Sequence, residues 1–230
     1  MVKSLGADVR VRALAAGLVA VAALAGCGGL QAQSGGEQTS KPDPASISEA
    51  REKLDGLAVK GRAPKTGFDR DKFGPAWSDV DRNGCDTRND ILKRDLVDET
   101  FKSGTKDCIV LTGTLHDPYS GKTIDFKRGQ DTSTAVQIDH VIPLSDAWQK
   151  GAQQWSAAKR KEFANDPLNL MAVDGPLNGQ KSDSDAATWL PPRKAYRCTY
   201  IARQIEVKAK YGVWVTSAEK TAMEGILGSC

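Results

Sequence analysis

Apolar positions in this chain come in short runs, and turn residues separate them. Ile47, Leu54, Leu57 and Val59 share one face of a stretch that opens Ser46-Ile47-Ser48-Glu49. Glu three residues after Ser is capping-box spacing, so a helix is predicted from there to about Leu57, stopped by Gly56 or Gly61. Asp86 is placed to cap a second helix, with Ile91, Leu92, Leu96 and Val97 along one side. Residues 108–115 are β-rich, and residues 122–127 alternate with Ile124 and Phe126 on one side. Asp117-Pro118-Tyr119-Ser120-Gly121 between them is a turn by composition, so the pair reads as a hairpin with His116 exposed at its turn. Residues 135–138 read as a short strand running toward Pro143, which stops it. Residues 168–173 form a second apolar run. A polar helix from about Pro176 then carries Asn178 and Lys181, three positions apart and so neighbours on its surface.

Between those two strands, Ala147, Trp148, Ala152, Trp155, Ala158 and Phe163 have the spacing of a helical pair packed on the core. Trp189-Leu190-Pro191-Pro192 ends any helix, and residues 195–211 read as a long one. Thr216-Ser217-Ala218-Glu219 is a second capping box and opens a last helix through Leu227. Phe68, Phe73 and Trp77 lie in a loop-rich segment and read as core aromatics. The class is α+β, in one domain over residues 46–230.

The first residues change the picture of where that domain works. Lys3, Arg10 and Arg12 precede an Ala/Val/Leu run over residues 13–23, followed by Leu24-Ala25-Gly26-Cys27. A basic start, a short apolar run and small residues at the cut form a secretory signal over residues 1–26. The Cys after Leu-Ala-Gly resembles a bacterial lipobox, which implies cleavage before Cys27 and lipidation of its thiol; the alternatives are an ordinary signal peptide or an uncleaved anchor. Residues 27–45, rich in Gly, Gln, Ser, Thr and Pro, read as a flexible tether. The expected location is the outer face of the cell membrane, or the extracellular space. The chain carries a formal net charge of +3, and loss of Lys3, Asp8, Arg10 and Arg12 leaves +1. Bulk charge therefore argues for no anionic partner, and any attraction to phosphate must be local.

With Cys27 assigned to lipid, Cys85, Cys108, Cys198 and Cys230 remain, and an exported chain pairs them. The expected pairs are Cys85–Cys108, which brackets the helix capped by Asp86, and Cys198–Cys230. The second follows if the last two helices run antiparallel through Gly212, since the return helix then brings the final residue back to the start of the first.

Chemistry concentrates in residues 135–186. Gln137-Ile138-Asp139-His140-Val141-Ile142-Pro143 opens this stretch, and Asn165-Asp166-Pro167-Leu168-Asn169 and Asn178-Gly179-Gln180-Lys181 follow. Phosphodiester hydrolysis needs an activated water, a base and positive charge where the leaving oxygen becomes anionic. A His near neutrality suits the base. A carboxylate and an amide oxygen suit a hard divalent cation that keeps several waters, Mg²⁺ first and Mn²⁺ as the alternative. Asp139, His140 and Asn178 are those residues. Neighbouring strand residues point to opposite faces, so Asp139 and His140 serve one centre only if the chain bends nearby.

These residues resemble the HNH endonucleases, a family with a ββα-metal motif. The closest branch has an Asp-His-Val/Ile-x-Pro opening, similar to the C-terminal nuclease domain of modification-dependent restriction enzymes. The resemblance implies Asp139 and Asn178 as metal ligands, His140 as general base, Asn169 as a brace for the base-bearing loop and Lys181 as a phosphate contact. It also implies a ββα core and cleavage leaving a 5′-phosphate; the N-terminal helix/hairpin region and two C-terminal helices read from the pattern flank that core, and the chain departs from many HNH proteins in having no Cys-x-x-Cys pair, so no structural zinc is implied. The expected function is a monomeric endonuclease acting on DNA, or RNA, with low sequence specificity. The alternative is a non-catalytic surface lipoprotein that binds nucleic acid or a cell-envelope partner.

Three further features stay open at the level of sequence. Asp79-Val80-Asp81-Arg82-Asn83-Gly84 matches the first half of an EF-hand Ca²⁺ loop, but Asp90 stands at the twelfth position instead of Glu. The other reading is a turn presenting residues 83–90, with Asp86 and Arg88, to the site. Arg88 either grips a phosphate with two parallel donors or pairs with Asp86 or Asp90. Lys122, Lys127 and Arg128, with Lys181, form either a basic patch or a solvated face.

Overall fold

The computed structural model describes residues 43–230. The signal segment, Cys27 and nearly all of the tether lie outside the described residues. The first helix, α1 (Pro44–Gly56), opens two residues earlier than expected. Asp43 caps it by accepting from the Ala45 amide, and Pro44 occupies the first turn, where a missing N–H costs nothing. Ser46 is therefore inside the helix, and its hydroxyl donates to the Asp43 carbonyl instead of closing a capping box.

Helix α2 (Thr87–Asp95) starts where Asp86 predicted, with the Asp86 carboxylate accepting from the Asn89 amide. It runs directly into β1 (Leu96–Phe101), a strand that the helix-like spacing of residues 91–97 concealed. Val97 consequently sits exposed on β1 and not on the helix's apolar side. β1 pairs antiparallel with β2 (Val110–His116), which pairs antiparallel with β3 (Thr123–Lys127). β2 and β3 are the expected hairpin, and His116 is exposed at its end.

The second sheet positions the site. It consists of β4 (Val136–His140) and β5 (Leu170–Asp174), antiparallel, with Ile138 opposite Ala172 and His140 opposite Leu170. Between them lie α3 (Leu144–Gln149) and α4 (Ala157–Asn165), the expected helical pair. α5 (Gly175–Lys181) leaves β5 without a linker, capped by Asp174 accepting from Leu177. Only Gly fits at this junction, because a Cβ on Gly175 would strike the Thr134 carbonyl. β4, β5 and α5 make a ββα unit within an α+β fold.

A two-stranded sheet leaves unpaired edge groups, and here side chains occupy them. On the free edge of β5, the Ala172 amide donates to Asp95 at 2.8 Å and the Asp174 amide to Asp117 at 2.9 Å. The Leu170 carbonyl accepts from Arg94 at 2.7 Å and Arg203 at 2.8 Å.

The chain closes with α6 (Arg197–Tyr211) and α7 (Ser217–Gly228). Gly212, at φ 71°, ends α6 in the left-handed conformation, and the capping box of Thr216 and Glu219 is complete. The disulfides are the predicted ones, Cys85–Cys108 and Cys198–Cys230, with Cα separations of 5.0 and 5.9 Å. Around α6 the core divides into an α1/α6/α7 cluster and an aromatic cluster of Phe73, Trp148, Phe163 and Tyr211; α2 covers a third cluster over the two sheets.

A charged group lies inside this apolar frame. Lys150 is fully buried and meets Asp146 at 2.7 Å, Asp185 at 2.9 Å and Glu219 at 2.6 Å. Lys208, also fully buried, pairs with Glu219 at 2.9 Å, and Arg62 reaches Asp146 and Asp185 at 2.9 and 2.7 Å. Burial alone would lower the Lys150 pKa, but Asp146 and Glu219 outweigh it and raise it. The group balances three carboxylates with three cations and ties α3, α6, α7 and the segment after α5 together. Lys150→Met leaves those carboxylates without their central cation. Its expected cost is about 3–5 kcal/mol, read as a lower urea midpoint. Replacing Cys198 and Cys230 together by Ser opens a loop with a sequence separation of 32. The same measurement should show a loss of about 3–4 kcal/mol.

Candidate active site

Asp139 and His140 lie side by side at the end of β4 and line one pocket of about 300 Å³ with Arg70, Pro143, Ser145, Asn178 and Asp183. Strand alternation sends the two side chains to opposite faces. They reach the same pocket because His140 is the last residue of the strand. The chain then bends through Val141 and Ile142 to Pro143, which precedes α3.

Asn169 holds that bend. It is fully buried, its carbonyl accepts from the Val141 amide, and its side-chain oxygen accepts from the Ile142 amide at 2.8 Å. Its Nδ2 donates to the Ile142 carbonyl at 3.3 Å and to the Phe163 carbonyl at 3.4 Å. These bonds tie the bend after His140 to the residue that precedes β5.

The His140 ring is oriented from α4. Its Nε2 lies 2.8 Å from the Ala164 carbonyl. A carbonyl only accepts, so Nε2 carries the proton and Nδ1 is left as the basic nitrogen. Trp77 stacks over the ring with centroids 6.2 Å apart and planes 14° apart. The Trp77 backbone sits at φ 58°, a strained value for a bulky residue. Burial lowers the His140 pKa to about 4, with Arg70 and Lys181 adding to the effect against the pull of Asp139 and the Ala164 bond. The imidazole is therefore neutral at physiological pH, the form a general base requires.

Asp139 is buried and both its oxygens are engaged. Oδ1 accepts from Lys181 at 2.9 Å and Oδ2 from the Tyr119 hydroxyl at 2.5 Å. Each oxygen keeps a second lone pair. Lys181 is fully buried and also donates to the His140 carbonyl at 2.8 Å. The residue expected on a substrate phosphate thus braces the carboxylate from below. Tyr119, read from sequence as part of a surface turn, is fully buried beneath the site against Tyr196, Tyr200 and Trp189. Burial and the neighbouring Asp139 raise its pKa well above the usual range, so the hydroxyl remains a donor.

Asn178 enters the pocket from α5. Its Nδ2 donates to Gln137 Oε1 at 2.8 Å, which fixes the amide and leaves Oδ1 as its acceptor. Gln137 is two residues before Asp139, on the same strand face, and that spacing was the available sequence signal for its role. Asp139 and Asn178 Oδ1 form a pair of hard oxygen donors. Such a set fits a small divalent cation that keeps most of its waters. Among the described residues no group of three or more His, Cys, Asp or Glu is arranged to hold a metal. The Lys181 ammonium on Asp139 would weaken its hold on any cation by like-charge repulsion.

The segment before α2 stays away from the pocket. Asp79 accepts from the Asn83 and Gly84 amides, and the Asn83 side chain donates to Asp81 and Asp90, so these groups close a turn among themselves. Asp86 is a helix cap, also accepting from the Asn89 side chain. Arg88 lies over the Phe126 ring, 5.8 Å from its centroid, where burial and then Arg128 lower its pKa. Neither Asp86 nor Arg88 lines the pocket. Arg128 donates to the Val110 carbonyl and to Asn89, so with Lys181 buried a continuous basic patch from the hairpin to the site does not form.

A neutral His140 makes a testable acid limb. Its folded pKa lies below the unfolded value of about 6.5, so the unfolded chain binds more protons between those pH values. The stability contributed by the neutral ring is complete above pH 6.5 and is lost as pH falls toward 4. In a ¹H–¹³C titration of metal-free protein, the His140 imidazole signal, assigned by its loss in His140→Ala, should titrate near pH 4 and show no midpoint near 6.5.

Residues 86–226 of the chain match the family of GmrSD restriction endonucleases, C-terminal domain. An uncharacterized secreted protein of Arthroderma benhamiae is 38% identical over 191 residues, which covers 82% of this chain and 88% of that protein. No solved structure matches the chain.

Proposed function

We infer the function of this chain from its family and its site together: the chain belongs to the family of GmrSD restriction endonuclease C-terminal domains, an HNH-like nuclease family. The proposal is an endonuclease that hydrolyses phosphodiester bonds in DNA with low sequence specificity. One observation carries it. A neutral His140 with Nε2 fixed on Ala164 faces the same pocket as the oxygen donors Asp139 and Asn178.

In this mechanism His140 Nδ1 takes the proton of the attacking water. The Nε2–H bond to Ala164 holds the ring in the tautomer that can do so, and Trp77 keeps it from rotating. Asp139 and Asn178 Oδ1 would hold a divalent cation, Mg²⁺ by donor type, which supplies positive charge at the scissile phosphate and leaving oxygen. Lys181 and Tyr119 hold the Asp139 carboxylate in place. Gln137 fixes the Asn178 amide through its Nδ2, so that Oδ1 would be free to hold the cation.

Export is part of the proposal. The two disulfides fit an oxidising compartment, and the fungal relative is described as secreted. The finer reading, an N-terminal lipid anchor on Cys27 holding a monomer at the outer face of the membrane, rests on the sequence pattern.

His140→Ala should lower plasmid cleavage by roughly 10²–10⁴-fold in Mg²⁺, with an unchanged fold by circular dichroism. Asp139→Ala and Asn178→Ala should shift the Mg²⁺ titration of activity to higher concentration, and Asp79→Ala should leave that titration in place. Near-wild-type cleavage by His140→Ala would remove the base assignment. A wild-type protein that binds DNA but cleaves neither DNA nor RNA with any divalent metal would support a non-catalytic binder instead.

A further inference from the structure

The ββα unit presents an anionic phosphodiester with a carboxylate, an amide and a neutral imidazole. The cation nearest the reacting carboxylate, Lys181, is fully buried and committed to Asp139 and the His140 carbonyl. Arg88 is elsewhere, over Phe126. A cationic side chain for the substrate phosphate must therefore come from outside these elements.

Residues 62–77 supply it. This segment precedes the residues matched by the family, which begin at 86. It crosses the pocket as an arm and is fixed at both ends. Arg62 is anchored in the buried charged group, and the Ala63 amide donates to the Gln149 carbonyl at 2.9 Å. The Thr66 carbonyl accepts from the Trp148 indole, and the Lys72 carbonyl accepts from Arg160 at 2.8 Å. Phe68 and Phe73 pack on Trp148, and Trp77 covers His140. Lys65, Phe68 and Arg70 line the pocket.

The two cations of the arm differ. Lys65 pairs with Asp183 at 2.9 Å. Arg70 is exposed, stands in a short 3-10 turn (Arg70–Phe73), and has no hydrogen-bond or ion-pair partner among the described residues. A guanidinium offers parallel donors that match two phosphate oxygens, and an unpaired one needs to break no bond to take them.

We propose that Arg70 is the substrate phosphate-binding residue of this site, and that the arm carrying it completes a pocket the ββα unit alone leaves without an available cationic side chain. Arg70 holds the scissile phosphodiester or the phosphate next to it beside Asp139 and His140. The assignment rests on the nuclease reading of that pocket.

The test uses the full folded chain with Mg²⁺ and a short fluorescent DNA duplex. Arg70→Ala should raise KM about tenfold while kcat changes less than about threefold, since the contact is made to a charge present before the reaction. Arg70→Lys should fall between, keeping the charge and losing the fork. On the inactive His140→Ala background, adding Arg70→Ala should reduce the slope of log affinity against log salt by about one. Lys102→Ala, an exposed lysine outside the pocket, is the charge-matched control and should leave KM unchanged. Wild-type cleavage with an unchanged KM and salt slope in Arg70→Ala would overturn the arm's role and leave the nuclease reading standing. A fall in kcat at constant KM would also overturn it. Absence of both cleavage by the wild type and binding by His140→Ala would overturn the nuclease reading and this proposal with it.

Discussion

The buried ion pair between Lys181 and Asp139 is the interaction on which the site's architecture depends. It joins the end of β4 to the end of α5, and so closes the ββα unit across its open side. The Tyr119 hydroxyl holds the other carboxylate oxygen and brings in the turn between β2 and β3. Tyr119 in turn packs on Tyr200 of α6. A carboxylate this deep is costly unless both oxygens are bonded, and here both are. The same two bonds fix the position of the carboxylate at the pocket.

A two-stranded sheet is too small to hold a site rigid by its own hydrogen bonds. Side chains make up the deficit. Asp95 and Asp117 satisfy the free amides of β5, and Arg94 and Arg203 converge on the carbonyls of Pro167 and Leu170. This clamps the segment that carries Asn169. Asn169 then fixes the Ile142 backbone, and Ala164 at the end of α4 fixes the His140 ring. The long insertion between the strands is thus part of the support of the candidate site, because its last turn sets the imidazole tautomer.

Most elements were legible because their local signals agree with their surroundings. Asp86 and Thr216 cap the helices they precede, since capping needs only the next few residues. β4, β5 and α5 followed from short apolar runs bounded by Pro and Gly. β1 was not legible: Leu96 and Val97 continue the apolar spacing of α2, and only pairing with β2 decides that the chain extends there. Ser46 matched a capping box, but Asp43 and Pro44 upstream formed a better start.

The candidate site divides in the same way. Sequence by itself supplied the chemical inventory, a motif His, a preceding Asp and an Asn on a following helix, because residue type and spacing along one ββα unit limit which groups can converge; the bracing Asn169 came from the family resemblance. Sequence also determined the disulfide pairs, since chain connectivity through Gly212 leaves the last residue beside the start of α6. Tertiary structure alone decided the direction each charge faces. Lys181 turns inward because Asp139 is buried beside it, Arg88 is drawn over Phe126, and Tyr119 leaves a turn of surface composition to lie beneath the site. Arg70 and Trp77 reach His140 from more than sixty residues away in the chain, across contacts with α3 and α4 that no local pattern encodes. Burial and charge pairing depend on what packs from elsewhere, and short-range spacing carries no record of it.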